Sequence, residues 1–149
     1  MDLDRDEVIM TLNQLLELEL AGTVRYTQYS LMVFGHARIP IISWMRNQAT
    51  EGMNHAAMAG EHVTSLGGHP SLKIGTLVES HKHDITQILS EALDHERATL
   101  REYYKLLALV VDKSVWLEEY AREQITLEEQ HIAEVDKMMR KPGDLHPTG

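Results

Sequence analysis

Two stretches of the chain repeat one pattern of chemically active side chains: a glutamate, a tyrosine seven residues later, and a histidine farther along. The pattern consists of Glu19, Tyr26 and His55 in the first half, and of Glu96, Tyr103 and His131 in the second. The two glutamate-to-histidine intervals differ by a single residue. This agreement predicts that each half is a pair of antiparallel helices that hold a carboxylate and an imidazole at the same level.

The second half also contains a complete Glu-x-x-His motif, Glu128 to His131. Residues three apart lie on one face of a helix, so Glu128 could bridge two ions while His131 binds one of them. Glu19 and Glu96 would then be terminal carboxylates, and His55 the other terminal imidazole. Two helices that each give a glutamate and two that each give Glu-x-x-His form the ligand set with which carboxylate bundles hold two iron or manganese ions.

The first half lacks the corresponding bridge, because Gly52 stands three residues before His55. Glu51 could replace it. On a helical wheel, position i−4 lies about 40° to one side of the histidine, whereas position i−3 lies about 60° to the other. Glu51 would therefore need an overwound helix or a π-bulge to reach the bridging position. Otherwise the site holds one tight and one weak metal, or uses water as the bridge. Restoring the carboxylate by Gly52→Glu is expected to raise metal occupancy.

Carboxylate oxygen and imidazole nitrogen suit iron, manganese and zinc. The chain has no cysteine, which excludes thiolate zinc sites, iron–sulfur clusters and disulfides. Two ions held by bridging carboxylates can act together on dioxygen or peroxide. Tyr26 and Tyr103 lie two turns from their glutamates, where each could form a hydrogen bond to a ligand or take a redox role; the alternative is that both only pack in the core.

Composition indicates one all-helical domain over residues 1–149, since Leu, Met, Ala and Glu are plentiful and only 5% of residues are aromatic. A formal charge of −9 opposes binding to nucleic acid. No stretch approaches the roughly 20 apolar residues of a membrane span, and the acidic start is unlike a secretory signal. We therefore expect a cytoplasmic protein without a membrane or nucleic-acid partner.

Periodicity and stop signals predict four helices, with Pro40 in the first turn of the second. They cover about 6–34, 40–66, 85–111 and 115–140, and the tail over 142–149 is expected to be disordered. Residues 71–80 form a polar connection long enough to run the length of a bundle. The predicted fold is an antiparallel four-helix bundle with a long crossover between the second and third helices.

The chain resembles the bacterioferritin branch of the ferritin-like superfamily over about residues 5–140. The resemblance is based on Asn13 to Leu20 with Tyr26, on Met53 to Ala56, and on Glu128 to His131. It implies non-haem di-iron chemistry in which dioxygen or peroxide oxidises ferrous iron. The residues that match the family's metal ligands are Glu19, His55, Glu96, Glu128 and His131.

Comparison with the family also shows two departures and one further match. Gly52 stands where family members carry a glutamate. Met53 occupies the position of the haem-ligating methionine, although haem is not expected from one methionine. No equivalent of the fifth helix that helps to build a 24-subunit shell is expected after Lys141 to Asp144, so we expect a homodimer and not a cage.

Three functions are consistent with the sequence. The first is an iron-binding protein, with two ions bound unequally, that oxidises ferrous iron. The second is a bundle with a degenerate metal site and a binding or structural role. The third is a di-metal oxygenase for an organic substrate, which would need an apolar pocket beside the metals.

Overall fold

Four long helices account for most of the chain in the computed structural model, which describes residues 2–148. They are α1 (Arg5–Met32), α2 (Arg38–Ser65), α3 (Ile85–Val110) and α4 (Val115–Met139). Residues 2–148 include no strand. The predicted all-α class is confirmed, and the helix ends lie within about two residues of the predicted ones.

Side-chain caps define where three of the helices begin. Asp4 accepts a hydrogen bond from the backbone N–H of Glu7, and Ser114 accepts one from that of Leu117. Asp84 accepts from two backbone N–H groups at the start of α3. These bonds satisfy donors that have no partner within the helix. No side chain caps α2, but Pro40 lies in its first turn, where the missing N–H costs nothing.

The connection between α2 and α3 runs along the outside of α1. At its start the Ser71 hydroxyl donates to Glu17 Oε2 over 2.7 Å, and farther on the backbone N–H of Gly75 donates to the Glu17 carbonyl over 2.9 Å. Near its end Gln28 Nε2 donates to Glu79 Oε2 over 2.8 Å. The segment thus follows α1 for several turns, and the predicted bundle with one long crossover is confirmed.

The C-terminal tail follows α4 without forming a regular element. Within it, the backbone N–H of Thr148 donates to Asp136 Oδ1 over 2.9 Å, and Arg140 donates to the carbonyl of Leu145 over 3.0 Å. The tail therefore has defined contacts with the end of α4. The predicted disorder of this segment stays a prediction.

Two separate apolar clusters form the core. One contains Val8, Leu12 and Leu15 of α1 with Leu106 of α3, and the other contains Tyr29, Met45, Ile88 and Val135 toward the opposite end. Buried polar side chains lie between the clusters. Among the described helices, none has a run of apolar residues long enough to cross a membrane.

Candidate metal centre

Three glutamates from three helices meet in the polar layer between the two apolar clusters. Glu19 of α1, Glu96 of α3 and Glu128 of α4 are 6%, 7% and 5% exposed. Carboxylates this far from water are costly unless hydrogen bonds, opposite charges or a metal compensate them. Their partners therefore show what the layer can do.

Glu19 and His55 form one side of the layer. His55 Nδ1 lies 3.2 Å from Glu19 Oε2, and the Tyr103 hydroxyl donates to the same oxygen over 2.7 Å. Glu19, His55 and Glu128 each offer a donor atom, and these atoms all lie within 4.8 Å of one another. One imidazole and two carboxylates at this spacing could share a single metal ion.

His131 and Glu96 form the other side. His131 Nε2 is hydrogen bonded to the Tyr26 hydroxyl at 2.9 Å and lies 3.6 Å from Glu96 Oε1. The Trp44 ring stacks on the His131 ring, with centroids 5.6 Å apart and planes 6° from parallel. These contacts fix the orientation of the imidazole. Each tyrosine therefore contacts a candidate ligand from the other half of the sequence: Tyr26 contacts His131, and Tyr103 contacts Glu19.

Glu128 lies between the two sides, near the donor atoms of Glu19 and His55 and beside Glu96. It is hydrogen bonded to Glu96, and its Oε2 atom is buried without a hydrogen-bond partner among the described residues. Burial and the neighbouring charge of Glu96 raise the pKa of Glu128 well above its usual range. Burial also acts to raise the pKa of Glu96. The hydrogen bond with Glu128 and the charge of His131 outweigh it, so the pKa of Glu96 lies below its usual value. The two neighbouring carboxylates are therefore not equally easy to ionise, and a nearby cation would favour the charged form of both.

The pKa values of the other groups in the layer are also shifted, each in the direction that its surroundings explain. Burial raises the pKa of Glu19, although the hydrogen bond with His55 opposes that shift. The same hydrogen bond raises the pKa of His55. Burial raises the pKa values of Tyr26 and Tyr103 well above the usual range, so both are neutral donors or acceptors.

Gly52 lies where α2 packs closely on α1. A Cβ atom at this position would be 2.5 Å from Thr23 Oγ1 and 2.9 Å from the Glu19 carbonyl oxygen. Thr23 occupies this space because its hydroxyl donates to the Ala49 carbonyl over 2.8 Å. The helix is regular α-helix through this region, so the overwinding or π-bulge considered from the sequence is absent from Arg38–Ser65. A Cβ cannot be added at Gly52 unless Thr23 or the Glu19 main chain moves, so we now expect no gain in metal from Gly52→Glu.

Glu51 lies at the rim of the site. Its Oε2 is 3.8 Å from His55 Nε2, and its side chain is 61% exposed. Beside it opens a cavity of about 200 Å³, whose wall includes the glutamates and histidines of the layer. Glu51 thus lies on the solvent side of the layer, next to His55, and not between the helices.

Sequence reasoning missed several residues of the cavity and its surroundings. Gln48, Gln130 and Glu134 line the cavity, Thr23 closes the gap at Gly52, and Trp44 stacks on His131. Helical spacing was a usable signal for two of them, since Gln48 precedes His55 by two turns and Glu134 follows His131 by three residues. Met53, in contrast, is 59% exposed and lies in a separate apolar groove between α1 and α2.

Fold and donor set together define a class of protein: a four-helix bundle with a buried layer of carboxylates and histidines suited to metal ions. The sequence matches the model of the ferritin-like domain over residues 9–142. The chain therefore belongs to the ferritin-like domain family. A comparison with curated protein sequences finds no match.

Solved structures share the whole architecture. A ferritin-like di-iron carboxylate protein from Bacillus anthracis is 23% identical, with a TM-score of 0.87 over 94% of this chain and 100% of that one. The bacterioferritin-related dodecameric thioferritin from Bacteroides fragilis is 21% identical, with a TM-score of 0.84 over 91% and 85% of the two chains. Desulfovibrio desulfuricans bacterioferritin is 24% identical, with a TM-score of 0.78 over 91% and 79%. At these identities the likeness establishes the fold, which is that of di-iron carboxylate proteins.

Proposed function

We propose that this protein binds ferrous iron in the polar layer and oxidises it with dioxygen or hydrogen peroxide. The observation that carries the proposal is the convergence of Glu19, His55 and Glu128, whose donor atoms lie within 4.8 Å of one another. The unpartnered Oε2 of Glu128 supports it, because a buried carboxylate oxygen without a hydrogen bond is costly and a cation would satisfy it.

The two metal positions are unequal in this proposal. Glu19, His55 and Glu128 hold the tighter ion, with Glu51 as an outer ligand from the rim. Glu96, His131 and the shared Glu128 hold the weaker one. Gly52 supplies no second bridge, and Tyr26 already occupies His131 Nε2. Manganese or zinc suits the same donors. Metal, oxidant and a second copy of the chain are the proposed partners, in a cytoplasmic setting.

Each side chain has a distinct part in this chemistry. Bound iron supplies the electrons that reduce the oxidant. Glu128, whose pKa burial raises, would be held in its ionised form by a bound cation, and its charge would offset that of the cation. Tyr103 and Tyr26 orient Glu19 and His131 through their hydroxyls. The cavity beside Glu51 gives small oxidants access to the layer.

The test is an anaerobic ferrous titration of metal-free protein that counts ions per chain, followed by admission of oxygen or peroxide while the ferric absorbance is recorded. We expect one tight and one weaker ion, and oxidation faster than in buffer. Glu128→Gln should abolish tight binding, whereas the control Glu129→Gln should not, because Glu129 faces the exposed Tyr104. Iron bound without accelerated oxidation would favour the degenerate metal-site alternative, and no iron at all would contradict the proposal.

A further inference from the structure

A row of aromatic side chains leads from the polar layer to the protein surface. Tyr103 donates its hydroxyl to Glu19, and its ring centroid lies 6.3 Å from that of Tyr120. The Tyr120 ring lies 4.3 Å from the His62 ring, which lies 4.7 Å from the ring of Trp116. Trp116 is 64% exposed. An unbroken series of ring contacts therefore joins a candidate metal ligand to solvent.

The middle of the row contains two polar atoms without partners. The Tyr120 hydroxyl and His62 Nδ1 are both buried and form no hydrogen bond within the described residues. Such atoms are uncommon and call for an explanation. A tyrosine gives up an electron readily only when its hydroxyl proton has an acceptor. Tyr103 has Glu19 as that acceptor. For Tyr120 the candidate acceptor is His62, whose ring packs against the tyrosine ring and whose Nδ1 has no other hydrogen bond within the described residues.

We propose that the row formed by Tyr103, Tyr120, His62 and Trp116 is an electron path between the metal layer and the surface. The inference rests on the proposed iron oxidation, in which dioxygen or hydrogen peroxide reacts next to Glu19 and Tyr103. Electron transfer weakens steeply with distance, so a path made of short ring contacts is favoured over transfer through the apolar core. The exposed Trp116 is the point at which the path meets reductants in solution.

The path supplies an electron that a single tight iron cannot. Reduction of hydrogen peroxide to two waters consumes two electrons and two protons. One ferrous ion gives one electron and becomes ferric. Tyr103 gives the other electron together with its hydroxyl proton, which passes through Glu19, and solution supplies the second proton. Tyr103 regains an electron and a proton from Tyr120. Tyr120 then takes its electron from Trp116 across the His62 ring and its proton from His62, which is reprotonated as the Trp116 indole loses its N–H proton. The neutral Trp116 radical finally takes a hydrogen atom from a thiol in solution, which leaves a thiyl radical.

The first test uses metal-free protein, so it does not depend on iron chemistry. In a Trp44→Phe background Trp116 is the sole tryptophan, since the chain has two. Azidyl radicals from pulse radiolysis oxidise this tryptophan, and conversion of its radical into a tyrosyl radical is followed by their separate absorption bands. We expect a first-order conversion that is lost in Tyr120→Phe. The matched control Tyr104→Phe changes an exposed tyrosine outside the row and should retain it.

Tyr120→Phe is a suitable variant because the hydroxyl that it removes has no partner, so the fold loses no hydrogen bond. Conversion that is as fast in Tyr120→Phe as in the parent protein would overturn the proposal. So would loss of the conversion in Tyr104→Phe alone.

The second test uses the iron-loaded protein and peroxide without added thiol, with oxidation of Trp116 mapped by mass spectrometry. We expect oxidised Trp116 in the parent protein and markedly less in Tyr120→Phe, although Trp116 remains exposed in both. Equal oxidation would mean that radicals in solution attack the indole directly, which would overturn the path. If iron fails to bind, the proposed function fails, but the radiolysis result still decides whether the path conducts.

Discussion

At the scale of single residues, Gly52 determines how closely α1 and α2 pack beside the candidate metal site. The two contacts that a Cβ would make are to Thr23 Oγ1 and to the Glu19 main chain, and the second cannot move without shifting α1. A glycine here allows close packing of α1 on α2. The missing carboxylate is therefore coupled to the helix packing beside the site, and replacing one side chain does not restore it.

Gly52→Ala and Gly52→Glu should both destabilise the protein. Adding a Cβ against Thr23 and the Glu19 carbonyl forces the helices apart, and overpacking of this kind costs about 1–3 kcal/mol. Thermal unfolding of the two variants measures the cost, and metal counting on Gly52→Glu should show no more iron than in the unmodified protein. An alanine variant as stable as the parent, or a glutamate variant that gains a second tight ion, would show that the helices separate easily.

At the scale of helices, the unpartnered buried polar groups of α4 lie in a single stripe along one face of that helix. Tyr120, Gln124 and Glu128 follow one another at four-residue steps, and each has a buried oxygen without a partner among the described residues. Positions four apart lie on one face, so the stripe extends from the polar layer toward the start of α4. Across from it on α2, His62 packs between Trp116 and Tyr120.

His62 should make the folded protein less stable in mild acid. Burial lowers its pKa below the usual 6.5, and the charge of Glu61 opposes this only in part. Because the unfolded chain then binds the proton more readily than the folded one, stability falls as the pH drops below about 6.5 and through the folded pKa. Its contribution is fully present above that window.

Denaturant unfolding between about pH 7.5 and about pH 5.5 checks this pH dependence. The parent protein should lose more stability over that range than His62→Phe does. The control His36→Phe removes an exposed histidine and should follow the parent. Parallel pH curves for the parent and His62→Phe would show that His62 takes up its proton equally in the folded and unfolded states.

At the scale of the whole molecule, the polar layer separates two apolar clusters instead of interrupting one. Each cluster packs all the helices together on its own side, so the bundle can tolerate buried carboxylates at mid-height. Outside the bundle, an apolar groove between α1 and α2 exposes Met53 at 59% beside Leu16, Leu20 and Ala56. Exposed apolar grooves often mark interfaces.

We expect this groove to pair two copies of the chain, since a two-fold homodimer is the commonest assembly. Sedimentation equilibrium should give twice the mass of one chain. Met53→Lys places a charge in the groove and should shift the equilibrium toward the monomer, while Met138→Lys, at a half-exposed position on α4, should not. A parent protein that sediments as a monomer at micromolar concentration would remove the groove from consideration as a dimer interface.

The sequence alone determined the number of helices, their approximate ends and the crossover, and it predicted the candidate metal ligands. These features depend on local signals: the 3.6-residue period, capping residues, proline and glycine, and the high cost of carboxylates on apolar stripes. Glu19, His55, Glu96, Glu128 and His131 were identified in this way, and the structure brings them into one layer.

Only the tertiary structure decided how that layer is completed. The place of Gly52 against Thr23, the rim position of Glu51 and the stacking of Trp44 on His131 depend on distances between helices, which helical periodicity does not encode. The same holds for the aromatic row. Its members come from three helices: Tyr103 from α3, His62 from α2, and Tyr120 and Trp116 from α4. Their rings touch because the packing of these helices brings them to neighbouring heights in the bundle.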